Sequence, residues 1–167
     1  MSSARAQVIA GLANVLNTAA RVAFLGVGSP LRSDDGLGLC LTTGLKQALQ
    51  PGPGQEFRFF LGESAPENFS GAIREFMPDY LVIFDAADLG ETPGTFALIA
   101  PDRIGGVSFS THMMPLKILA DYLVMAAGCQ VMVIGVQPEN LDFGETLSPA
   151  VAAAVGEFIK ELIATIR

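Results

Sequence analysis

The stretch Tyr80-Leu81-Val82-Ile83-Phe84-Asp85 decides the fold. A run of aromatic, β-branched and aliphatic residues without polar alternation describes a strand covered on both faces, the condition of strands in parallel sheets. An acid follows at once, so a charge stands where the chain leaves the sheet. Working outward, residues 22–26, 57–61 and 130–136 read as further buried strands. Residues 95–100 read as a shorter strand, antiparallel and at an edge. Between them lie helical patterns. Val8, Ile9, Leu12, Val15 and Leu16 have helical spacing within residues 4–20. Helices are also expected over residues 36–49, 65–76, 115–127 and 148–166. Pro66 suits a first turn, Pro78 a position just past a helix end, and Ser148-Pro149 a cap followed by a first helical residue. Pro51-Gly52-Pro53-Gly54 punctuates the chain between the first two strands.

The order is β-α-β-α-β-β-α-β-α behind one additional helix. It predicts an α/β protein, a three-layer α/β/α sandwich around a five-stranded, mostly parallel twisted sheet with one antiparallel edge strand. The 167 residues suit one domain, residues 1–167, with 1–20 as an additional N-terminal helix to a unit spanning 21–167.

Composition narrows the function classes. Half of the residues are apolar and 16% charged, which disfavours disorder. The net charge is −7 and the Lys and Arg residues are scattered singly, so binding to nucleic acid through its phosphates is disfavoured. No apolar run is long enough to span a bilayer and the N-terminus lacks the layout of a secretory signal, so no membrane insertion and a cytoplasmic location are expected. A monomer or weak oligomer is expected. Cys40 and Cys129 form no CxxC pair and read as buried, reduced thiols.

In open sheets of this kind, sites form beyond the carboxyl ends of the strands. Three loops there carry groups fit for chemistry. The first, residues 26–38, contains the pair Asp34-Asp35 at a helix entrance. Capping and the helix dipole account for one aspartate but do not require two. A nucleotide site is disfavoured, because the full GxGxxG pattern is missing and the carboxylates repel a pyrophosphate. The second is Asp85, whose charge at the end of a core strand calls for a partner; Asp88 reads as a turn former. The third is His112, the only histidine, in a loop before the helix that Pro115 helps to start. Asp35, Asp85 and His112 together supply two oxygens and one imidazole nitrogen, a set compatible with nickel or zinc and leaving coordination positions open.

At these residues the sequence resembles the hydrogenase maturation endopeptidases, most closely those acting on formate-hydrogenlyase-type hydrogenases. Residues 26–38 resemble the family's opening loop GxGNxLxxDDGxG. Ser64-Ala65-Pro66-Glu67-Asn68, Asp85-Ala86-Ala87-Asp88-Leu89-Gly90, Pro93-Gly94, Ser110-Thr111-His112, Pro115-Leu116, Gly135-Val136-Gln137-Pro138 and Leu147-Ser148-Pro149 match further blocks in the same order. The resemblance implies that Asp35, Asp85 and His112 are the catalytic and metal-contacting positions. It also implies that the nickel is carried by the substrate, the precursor of a [NiFe] hydrogenase large subunit, and that no organic cofactor takes part. Two places depart from the family pattern. Ser29 stands where Asn is usual, and Leu61-Gly62-Glu63-Ser64 replaces a DGG(T/S) turn, with Glu63 adding charge and restricting the backbone. Two other classes of function are weighed against this one. One is a non-catalytic nickel- or precursor-binding chaperone; the other is a Mg²⁺-dependent phosphohydrolase using Asp35 and Asp85, for which Arg32 is the only nearby phosphate partner.

Overall fold

In a computed structural model, residues 3–104 and 115–166 are described. Five strands build one sheet: β1 (Arg21–Val27), β2 (Glu56–Glu63), β3 (Tyr80–Ala86), β4 (Phe96–Ile99) and β5 (Gln130–Val136). Their spatial order is β2-β1-β3-β5-β4. All neighbours run parallel except β4, which pairs antiparallel with β5 at the edge. The expected architecture is the observed one.

The helices are α1 (Ser3–Thr18), α2 (Leu37–Ala48), α3 (Ser70–Phe76), α4 (Leu116–Ala127) and α5 (Pro149–Thr165). Alternation along the central strands sends side chains to two separate cores. Phe24, Val82, Phe84 and Ile134 meet α1, α2 and α5 on one face. Leu25, Leu81, Ile83 and Val133 meet α3 and α4 on the other. Phe24 stacks on Phe59 with ring centroids 4.8 Å apart, and Phe96 stacks on Phe158 at 4.3 Å, which fastens α5 over the antiparallel edge.

Several local expectations are corrected. The helix expected over residues 65–76 divides into a 3-10 turn, Pro66–Phe69, and α3. It stops at Met77, which takes a left-handed conformation just before Pro78. Another 3-10 turn, Ser33–Gly36, precedes α2. β3 runs one turn of the pleat further than its apolar run, so Asp85 lies inside the strand, opposite Gly135, rather than after it. Cys129 is buried as expected, but Cys40 is exposed on α2. No described helix is long and apolar enough to cross a membrane.

Candidate active site

The chain passes from β1 out to β2 on one side and returns to β3 on the other, so the order of strands reverses between β1 and β3. Crevices for ligands open at such a reversal, outside the carboxyl ends of the strands. Asp35 follows β1 and Asp85 is the last residue but one of β3, so the two acids flank this point.

Close backbone approach places Asp35. A Cβ on Gly38 would overlap the Phe84 carbonyl oxygen and lie 2.7 Å from that of Val27. Only glycine lets the start of α2 lie directly over the ends of β1 and β3. Gly28 has φ 126°, and a Cβ there would overlap the Asp35 carbonyl. The loop after β1 therefore folds back against the turn bearing the acids.

Adjacent in sequence, the two aspartates have different work. Asp34 is fully buried and accepts four hydrogen bonds. Oδ2 receives the N–H groups of Glu139 at 2.9 Å and Asn140 at 3.0 Å, and the Ser148 hydroxyl at 2.5 Å. Oδ1 receives the Ser148 N–H at 2.7 Å. Burial pushes this carboxyl upward, but the Ser148 hydroxyl and the three N–H groups outweigh it and hold it below the usual carboxylate value. Asp34 ties the first acid-bearing loop to the segment between β5 and α5. Ser148 precedes α5 as expected, yet its hydroxyl makes no cap bond and serves Asp34 instead.

Asp35 is 3% exposed. One oxygen, Oδ2, accepts the Ser29 N–H at 2.8 Å, while Oδ1 is buried with no hydrogen-bond partner among the described residues. Neither aspartate caps a helix through its side chain; the cap residue of α2 is Gly36. Ser29 enters the site through its backbone N–H.

Asp85 is also 3% exposed and shares the α3/α4 face of β3 with Leu81 and Ile83. It borders a small pocket with Ala87, Ile104, Leu116 and Gly135. The loop after it is held by Gln137, whose Oε1 accepts the Leu89 N–H at 2.7 Å. Asp88 serves its turn, accepting the Gly90 N–H at 3.3 Å. His112 lies outside the described residues; Leu116, four positions on, is the first residue of α4. Among the described residues no three His, Cys, Asp or Glu side chains gather as a metal site.

Sequence reasoning missed the brace formed by residues 137–148. Through Gln137 and through the groups that bind Asp34, this one segment fixes both acid-bearing loops. Gln137 and Ser148 stood inside recognised sequence blocks, but nothing in their local pattern revealed partners so distant in the chain. Glu63 takes the left-handed backbone that glycine favours, with φ 51°. It sits beside the irregularity where Val27 pairs with Glu63, and its carbonyl accepts the Gly28 N–H at 2.9 Å.

Fold and site define a three-layer α/β protein with three buried acids, Asp34, Asp35 and Asp85, at the reversal of a mostly parallel sheet. A family model described as hydrogenase maturation protease matches residues 41–165, a span that contains Asp85 and His112. The hydrogenase 3 maturation protease of Escherichia coli K12 is 37% identical over 133 residues, covering 79% of this chain and 82% of its own. The crystal structure of a [NiFe] hydrogenase maturation protease from Thermococcus kodakarensis superposes with a TM-score of 0.79 at 27% identity, over 93% of this chain and 98% of that one. The solution structure of an endopeptidase from Escherichia coli gives 0.72 at 34% identity, over 86% and 90%. The chain belongs to the hydrogenase maturation protease family, and it is a peptidase.

Proposed function

We infer that this peptidase removes the C-terminal peptide from the nickel-loaded precursor of a [NiFe] hydrogenase large subunit. Asp35, Asp85 and His112 recognise the nickel, which the substrate carries. No organic cofactor has a part in the reaction, and the reaction takes place in the cytoplasm. The observation that supports this reading best is the state of Asp35. A carboxylate oxygen buried without a hydrogen-bond partner is costly, and a cation delivered to it removes the cost. Its other oxygen is fixed by the Ser29 N–H, so Oδ1 is held in place before a ligand arrives. Oxygen and imidazole donors suit nickel and leave it coordination positions for the precursor's own ligands.

Nickel docked there stands beside the scissile peptide. There it would polarise the carbonyl or acidify a bound water, or Asp35 or Asp85 would take the water's proton as general base; the water oxygen adds to the carbonyl carbon and the amine leaves with a proton. A precursor lacking nickel has nothing to present to the acids, so processing follows metal loading. The test is incubation of the protein with nickel-loaded and nickel-free precursor, read by mass spectrometry. The loaded precursor alone should lose the mass of a short peptide. Equal cleavage of both would end the proposal that nickel is recognised. Stable binding of the loaded precursor without cleavage would replace catalysis with a holding role.

A further inference from the structure

Among the described residues, two large apolar side chains stand in water beside the acid-bearing loop. Phe143 is 84% exposed and Leu31 48%. They are neighbours: the Gly144 N–H donates to the Leu31 carbonyl at 2.9 Å, and Arg32 and Gly144 form a parallel bridge, which sets Leu31 alongside Phe143. Their exposure does not come from a loose loop. The Ser33 N–H bonds the Gly144 carbonyl at 2.8 Å, the Ser33 hydroxyl bonds the Asp142 carbonyl at 2.8 Å, and Asp34 holds residues 139, 140 and 148. Fixed, solvated apolar groups continuous with a site mark a surface built to be covered. Exposed Asp142 and Glu145 flank Phe143 along the chain, and exposed Glu139 lies in the same segment, so the charge carried beside it is negative.

We propose that Leu31 and Phe143 form an apolar lip that docks the precursor during cleavage, gripping an apolar residue flanked by basic side chains. The inference rests on the function proposed above and adds the contact by which the substrate's protein part, rather than its metal, is chosen. An aromatic anchor supplies affinity, while the acids steer a basic segment toward it. Because the lip and the Asp35 turn share one braced backbone, a segment seated on the lip lies next to the acids.

The experiment measures cleavage of nickel-loaded precursor by the wild type, Phe143→Ala and Leu31→Ala, with the melting temperature and sedimentation of each. Phe143→Ala should raise KM about tenfold, the loss expected for a modest anchor, with kcat and melting temperature near wild type. Leu31→Ala should raise KM less, and Phe143→Leu should restore part of the loss. Asp142→Asn with Glu145→Gln should flatten the dependence of KM on salt. An unchanged KM in Phe143→Ala and Leu31→Ala overturns the proposal, as does a fall in kcat alone. A wild-type dimer that dissociates in Phe143→Ala also overturns it, because the lip would then be covered by a second copy. Failure of the wild type to cleave loaded precursor would instead remove the function on which the lip depends.

Discussion

Replacing Asp34 with asparagine tests the clamp that holds the site together. The side chain keeps its volume, but one oxygen becomes an NH2 group. Placed best, the amide oxygen takes the Oδ2 position and keeps the Glu139, Asn140 and Ser148 hydroxyl bonds, now without the help of a charge. The NH2 group then faces the Ser148 N–H, donor against donor, where Oδ1 accepted a 2.7 Å bond. Hydrogen bonds to a charged group contribute about 1.5–3 kcal/mol each, so one lost bond and three weakened ones cost about 3 kcal/mol. For a chain of this length that lowers the melting temperature by roughly 6–12 °C. Ser148→Ala, which removes one of the four donors, should cost about 1 kcal/mol, and less in the Asp34→Asn background because both changes break the same network. The assay is thermal unfolding followed by circular dichroism, repeated across acid pH. The Asp34 carboxyl is held below its ordinary value of 3.8 in the folded protein. Its contribution is therefore complete above that value and is lost as pH falls through the folded one, so the gap between wild type and Asp34→Asn should hold above about pH 4 and narrow as pH falls further. An Asp34→Asn protein that melts within about 2 °C of wild type at neutral pH would refute the clamp.

Two other substitutions probe the backbone that places the acids. Glu63→Gly should stabilise the fold by about 0.5–1 kcal/mol, seen as a small rise in melting temperature, because a non-glycine residue at φ 51° stores strain that glycine does not. Gly38→Ala should destabilise by about 2–3 kcal/mol in urea unfolding and lower cleavage as well, since its methyl group overlaps the Phe84 carbonyl and lifts α2 off β1 and β3.

The sheet was legible in the sequence because its strands announce themselves as apolar runs. Residues 130–136 were delimited to the residue, and the antiparallel edge at 96–99 was recognisable from its shortness and position. The end of β3 was not, because a strand continues wherever its backbone finds partners; Asp85 pairs with Gly135 although its side chain is polar. The placing of Asp35 after β1 and of Asp85 near the end of β3 was legible from residue types and strand order. The division of labour between Asp34 and Asp35 was not, since the two are chemically identical and adjacent. What separates them is a segment more than a hundred positions away, whose N–H groups converge on one carboxylate and leave an oxygen of the next unpartnered among the described residues. The exposure of Cys40 was hidden for a similar reason: an apolar stretch on a helix turns some of its members to solvent, and only the packing of α2 shows which.

The most direct test of substrate nickel held by two acids compares wild type, Asp35→Asn and Asp85→Asn on nickel-loaded precursor, with each variant's fold verified by circular dichroism. Loss of peptide release in both folded variants, at least a hundredfold in rate, is the predicted result; about that much follows from removing a ligand or a catalytic carboxylate. Release at the wild-type rate by either folded variant would contradict the account.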